Sequence, residues 1–207
     1  MITPNEILAQ RHRSSSWVGW VPTYSGKGYR PWDENPGPLS LQDLAYGLSR
    51  TLRYGGHSKP GVTVAEHCIL AAAIVRSLWP GNEHLERAAL LHDASESILH
   101  DLQSPIRSSV RVVMPSGDMI TWNESDALVT RNIAKFFDVP KEHLEAPEVK
   151  AADLLAVCFE KRDCPNLGDG DWGLPEIPQG LHLHIWGWSM HAAMLKYLRA
   201  AKHLDLV

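Results

Sequence analysis

Ala88-Ala89-Leu90-Leu91-His92-Asp93-Ala94-Ser95-Glu96 is the stretch on which the reading of this chain turns. Its small and apolar residues predict a packed helix over about 83–100. On such a helix His92 and Glu96, four apart, share a face, and Asp93 lies about 100° round the cylinder. An imidazole and two carboxylates from one turn would then point toward the same volume, an arrangement suited to a divalent metal and an activated water. The His-Asp dipeptide alone is weak, and it recurs at His100-Asp101, so its neighbours must decide what it does.

Upstream, a helical pattern begins at residue 40. Ser40 can cap a helix with Asp43 at the third position, Leu41, Leu44, Leu48 and Leu52 follow at helical spacing, and Gly55-Gly56 ends it. Thr63-Val64-Ala65-Glu66 reads as a capping box that opens a second helix, which carries His67 and runs to Trp79 before Pro80. Downstream, a fourth helix is predicted over about 122–137. A fifth opens at Pro147-Glu148, with Asp153 two turns in. A long Gly-, Pro- and Asp-rich loop covers 163–181, and a last helix covers about 184–201. Before residue 40, Trp17 to Tyr24 alternates weakly and Ser25-Gly26-Lys27-Gly28 is turn material, so a short β-hairpin and a Pro-rich loop are expected. The fold expected is an all-α bundle of about six helices with an N-terminal hairpin extension. It forms one domain over 1–207: an extension (1–39), a metal-binding helical core (40–162), and a loop with the C-terminal helix (163–207).

Composition narrows the function classes. Among 207 residues, 44% are hydrophobic and 21% charged, as in ordinary globular proteins. The net charge of −4 argues against a general nucleic-acid binder, while leaving phosphorylated small molecules open. Arg11-His12-Arg13 reads as a solvated arm. Cys68, Cys158 and Cys164 lack zinc-type spacing and read as reduced thiols. No run approaches a membrane span and no apolar leader is visible, so the expectation is a cytoplasmic protein without membrane association. Trp17, Trp20 and Trp32, three of eight tryptophans, lie in one short stretch that either stacks on a base or, the simpler reading, buries the hairpin on the bundle.

Three helices each offer a metal ligand: His67, then His92 with Asp93, then Asp153. A single buried histidine is ordinarily a hydrogen-bonded core residue. Asp93 and Asp153, flanked by small and apolar residues, are harder to place without a partner, and one cation would satisfy all four groups.

In this order, His, His-Asp, Asp, the sequence resembles the HD-domain phosphohydrolase superfamily. The matching segments are Val64-Ala65-Glu66-His67, Leu91-His92-Asp93-Ala94-Ser95-Glu96 and Lys150-Ala151-Ala152-Asp153. The resemblance is closest to its small nucleotide-acting branch of 5′-deoxynucleotidases and phage dATP triphosphohydrolases. It spans roughly residues 20–160 and includes Thr23-Tyr24-Ser25-Gly26-Lys27, the stretch from Leu48 to His57, and Asp101-Leu102-Gln103-Ser104-Pro105. It separates the two His-Asp pairs: His92-Asp93 fits the metal pair, whereas Asp101 fits a position that contacts the substrate sugar's 3′-hydroxyl. His100 is left structural or at the surface. The resemblance also matches Arg53 to a substrate-contacting arginine and Tyr54 to an aromatic residue near the nucleotide.

Two imidazoles and two carboxylates suit one divalent transition metal, Mn, Co, Ni, Fe or Zn, better than magnesium. Glu96 is the expected general acid/base, against a surface glutamate that merely supports its helix. Arg53 is the first phosphate candidate, with Arg107 and Lys150 behind it; the plain alternative leaves Arg50 and Arg53 on a solvated helix face. The expectation is a metal-dependent phosphohydrolase acting on a small-molecule (deoxy)nucleotide, mono- or triphosphate; the oligomeric state is open from the residues, and the resemblance adds a homodimer or larger ring as the form to look for. Its rivals are a nucleotide-binding regulator without turnover and a phosphodiesterase.

Overall fold

The computed structural model describes residue 3 and residues 19–206. The Arg11-His12-Arg13 tract and Trp17 lie outside the described residues. The N-terminal hairpin is present and short: β1 (Val21–Pro22) pairs antiparallel with β2 (Gly28–Tyr29). Helices follow as α1 (Leu41–Leu48), α2 (Val64–Leu78), α3 (Glu83–Leu91), and the single turns α4 (Glu96–Leu99) and α5 (Ser104–Arg107). A second hairpin, β3 (Arg111–Val113) with β4 (Met119–Thr121), leads into α6 (Trp122–Phe136). The chain closes with α7 (Lys141–Leu144), α8 (Pro147–Asp163) and α9 (Met190–His203). Six of these helices have eight residues or more, so the all-α bundle with a hairpin extension is the observed fold.

Helix α2 is the axis of the bundle. It packs on α1, α3, α8 and α9, and Val64, Ala65, Cys68, Ala71, Ile74 and Val75 are fully buried. A helix buried on nearly every side is apolar all round, and the run Cys68-Ile69-Leu70-Ala71-Ala72-Ala73-Ile74-Val75 supplies that. Its one fully buried histidine, His67, therefore faces other protein groups.

The helix starts follow local rules. Ser40 accepts from the Asp43 amide, and the Asp43 carboxylate returns to the Ser40 amide at 2.9 Å, closing the expected capping box. The same carboxylate accepts the Ser25 amide at 2.6 Å, which ties the turn after β1 to α1. Thr63 caps α2 through the Glu66 amide at 3.2 Å, but only half of a capping box forms. The Glu66 carboxylate instead accepts the amides of Trp186, Gly187 and Trp188 at 2.7, 3.1 and 2.9 Å. It thereby holds the segment before α9 out of helix, so α9 starts at Met190 and not near 184.

Two further expectations are corrected. Helix α1 ends at Leu48; Leu52 bridges to Thr63, and Gly55-Gly56 belong to a separate 3-10 turn at Arg53–Gly56. The helix expected over about 83–100 breaks into α3, a turn at 92–95, and α4. The physical cause is visible at His92: its Nδ1 lies 2.7 Å from the Ala89 carbonyl, the acceptor that a continuing helix would offer to the Asp93 amide. The backbone beyond tightens to i→i−3 bonds, Ala94 to Leu91 and Glu96 to Asp93. Gly47 lets α1 approach α4, since a Cβ there would stand 2.5 Å from the Ser97 carbonyl oxygen.

Among the described residues, no helix is long and apolar enough to cross a membrane.

Candidate metal centre

Three elements bring the predicted ligands together. His67 lies in the first turn of α2, His92 and Asp93 in the turn between α3 and α4, and Asp153 in α8. His67 Nε2 is 3.2 Å from His92 Nε2, 3.0 Å from Asp153 Oδ1 and 3.6 Å from Asp93 Oδ2. His92 Nε2 is 3.2 Å from Asp93 Oδ2 and 3.6 Å from Asp153 Oδ1. Donor atoms about 2.1 Å from a common metal stand about 3.4 Å apart on a tetrahedron and about 3.0 Å apart at adjacent corners of an octahedron. Three of the five separations fall in that range and the other two, at 3.6 Å, lie just beyond it, close enough for a single ion to draw the set together. His67, His92 and Asp153 form one group able to hold a metal, and Cys68, His92 and Asp93 form an overlapping one.

Hydrogen bonding on the far side of each ring supports this fit. The Ala89 carbonyl can only accept, so His92 carries a proton on Nδ1, which leaves Nε2 as the nitrogen that faces the cluster. His67 Nδ1 lies 2.7 Å from Glu160 Oε1, which holds that ring the same way. Two Nε2–H groups cannot face each other at 3.2 Å, so at least one ring presents a bare nitrogen to the carboxylates. Burial alone would lower the imidazole pKa values, yet facing carboxylates, Asp93 for His92 and Glu160 for His67, raise both above the ordinary value. Asp153 is less buried than its apolar flanks predict. Its side chain is 44% exposed, so its placement against both histidines, rather than desolvation, marks it as a ligand candidate.

Glu160 is the residue that sequence reasoning missed. It is fully buried on α8, seven positions after Asp153 and therefore on the same face two turns along. Its carboxylate receives His67 on one oxygen, and on the other Arg53 Nε at 2.9 Å and the Tyr54 hydroxyl at 2.5 Å. Burial pushes this carboxyl up, but Arg53 and His67 outweigh it and hold it at about 2. The available signal was a charged residue at that seven-residue spacing inside Leu155-Ala156-Val157-Cys158-Phe159-Glu160. Cys68, beside His67 and within reach of His92 and Asp93, is a second donor that its sequence spacing did not disclose.

Arg53 stands at the edge of the cluster. Its Nη1 lies 3.5 Å from Asp93 Oδ2 while its Nε is held by Glu160. Tyr54 adopts a left-handed conformation (φ 57°), uncommon for a residue with a side chain, and its amide donates to Asp101 Oδ2 at 3.1 Å. Arg53, Tyr54, Asp101, Gln103 and Trp172 line one cavity of about 630 Å3. Three of the predicted substrate contacts thus share one volume, bordered through Arg53 by the metal cluster. Arg107 is placed differently: its Nη2 pairs with Asp126 Oδ2 at 2.5 Å, and the Ser95 hydroxyl also donates to Asp126. Lys150 is exposed, and His100 ends α4 with its Nδ1 3.3 Å from Thr51 Oγ1. Trp32 donates to Ser125 Oγ at 2.8 Å and packs on the core.

Glu96 is 4% exposed, and among the described residues its Oε2 has no hydrogen-bond partner. Burial, then the charges of Asp93 and Asp101, push its carboxyl well above the usual range. An unpartnered buried carboxyl beside a charged cluster is the kind of group that functional sites retain.

The fold and this site define an all-α bundle with a mixed imidazole–carboxylate cluster able to hold a metal. No family model matches the chain. Among curated proteins it is similar to the uncharacterized protein YfdR of Escherichia coli, 25% identical over 155 residues that cover 75% of this chain and 77% of the relative. It is also similar to the uncharacterized protein RCAP_rcc00048 of Rhodobacter capsulatus, 27% identical over 178 residues that cover 80% and 86% of the two chains.

Proposed function

We propose that the chain is a metal-dependent phosphohydrolase of the HD-domain type that cleaves a phosphate ester or anhydride of a (deoxy)nucleotide. The observation that carries this reading is the convergence of His67, His92, Asp93 and Asp153, with donor atoms 3.0 to 3.6 Å apart, beside a cavity that holds Arg53 and Asp101. His67, His92, Asp93 and Asp153 would hold a divalent transition metal, which would supply acidification of a water and polarisation of a phosphoryl oxygen. Manganese, cobalt, nickel, iron and zinc all suit the donor set.

The chain's own groups divide the remaining work. Arg53 offers guanidinium charge to phosphate oxygens at the boundary between cluster and cavity, and Glu160 holds its Nε while Nη1 faces Asp93. Glu96, whose carboxyl burial pushes toward the protonated form, is the proposed donor of a proton to the leaving oxygen. Asp101, oriented by the Tyr54 amide, is available to a sugar hydroxyl in the cavity. Arg107 supports this set through Asp126 and Ser95 and has no direct phosphate role in the proposal.

Asp93→Asn tests the reading. Metal binding and turnover should fall together, because Asp93 faces His67, His92 and Arg53. Full activity in that variant would end the proposal. A regulator without turnover would instead show a nucleotide-dependent rise in melting temperature with no product formed.

A further inference from the structure

We propose that Trp172 and Tyr54 form an aromatic slot for the planar base of the nucleotide, and that the loop carrying Trp172 sets base preference. This rests on the nucleotide reading above and adds the part of the substrate that the metal cluster does not touch. Trp172 lies in the Gly- and Asp-rich stretch Gly168-Asp169-Gly170-Asp171-Trp172-Gly173, yet it lines the same cavity as Arg53 and Asp101. Trp172 is 40% exposed, a cost in apolar surface that a planar ligand would reduce. The Tyr54 and Trp172 centroids are 5.9 Å apart and the rings are tilted by 48°, so neither spends a face on the other. Lys161 Nζ lies 4.8 Å from the Trp172 centroid, which strengthens the ring's hold from one side.

The loop is held, not merely near. The Gly173 amide donates to Asp171 Oδ1 at 2.8 Å and shapes the turn that presents the indole. Lys161 donates to the Gly170 carbonyl, and the Cys158 thiol to the Pro175 carbonyl at 3.4 Å. Both anchors come from α8, the helix that also carries Asp153 and Glu160. The cavity presents a cation next to the cluster, in Arg53, together with a carboxylate and an aromatic face, in Asp101 and Trp172, the three kinds of group that phosphate, sugar and base call for.

The test compares wild type, Trp172→Ala and Trp172→Phe by calorimetry. The probes are the four deoxynucleoside 5′-monophosphates and base-free 2-deoxyribose 5-phosphate, with phosphate release followed in parallel. Trp172→Ala should weaken binding of the nucleotides about 10- to 100-fold, the size of one base–aromatic stack. Trp172→Phe should recover most of it, and the base-free probe should bind all three proteins alike. Equal nucleotide binding by wild type and Trp172→Ala, or an equal loss for the base-free probe, overturns the inference. Trp172-dependent binding with no phosphate released keeps the slot and removes the hydrolase reading. Release at equal rates from nucleotides and 2-deoxyribose 5-phosphate by wild type keeps the hydrolase and removes the slot.

Discussion

Glu160→Gln isolates the buried carboxylate behind the cluster. It keeps the side chain's shape and removes its charge. In the protein, three donors converge on two oxygens: His67 at 2.7 Å on one, and Arg53 at 2.9 Å with Tyr54 at 2.5 Å on the other. A glutamine offers one acceptor and one NH2 group. If its oxygen stays with Arg53 and Tyr54, the NH2 faces His67 Nδ1, which must become the acceptor, and the ring proton moves to Nε2, toward the cluster. If the amide turns over, two donors confront Arg53. The first arrangement costs less, and it removes the lone pair that a metal needs. Loss of such an orienting partner lowers metal affinity about 10- to 100-fold, or about 1.4–2.7 kcal/mol. Arg53 keeps Asp93 at 3.5 Å, so the fold should persist. Titration calorimetry with Mn and Zn on wild type and Glu160→Gln, each first shown to melt cooperatively, gives the comparison. Unchanged metal affinity in a folded variant would refute the reasoning that Glu160 sets the tautomer of His67.

Further expectations concern the scaffold that holds the site. Glu66→Ala strands three amides at 186–188 and should cost about 2–4 kcal/mol in urea unfolding; a loss below about 1 kcal/mol would mean those amides find water freely. Gly47→Ala drives a methyl group into the Ser97 carbonyl and should cost about 1–3 kcal/mol, with a fall in turnover because Glu96 shifts with Ser97. Stability equal to wild type would show that α1 and α4 can separate freely. At Asp43 burial pushes the carboxyl up, but the hydrogen bonds from Ser40 and Ser25 together outweigh it and hold it below 3.8. A depressed folded pKa contributes stability that is present above the unfolded value and is lost as pH falls through the folded value. The stability gap between wild type and Asp43→Asn should therefore close as pH drops below about 3.8, and a gap constant down to pH 2 would contradict this.

The long helices were legible because their signals are local. Thr63 before α2, Pro147 opening α8 and the Ser40–Asp43 pair each place a helix start within a residue or two. The candidate ligands were legible because Asp93 and Asp153 stand out among small and apolar residues and because the resemblance orders them with His67 and His92. What escaped depends on contacts between distant segments. Nothing local tells Glu66 to leave Thr63 for amides 120 residues away, or ends α3 at His92 through a ring-to-carbonyl bond. Strands β3 and β4, three residues each, are too short for alternation to announce them. Trp172 read as part of a featureless loop because its importance comes from the cavity it borders.

The most direct measurement is phosphate release by the purified chain from a panel of nucleoside mono-, di- and triphosphates, after chelator treatment and readdition of single metals. The account predicts no release from the stripped protein and recovery with manganese, cobalt or another transition metal. Turnover that persists after stripping, or no product from any nucleotide with any of these metals, would contradict it.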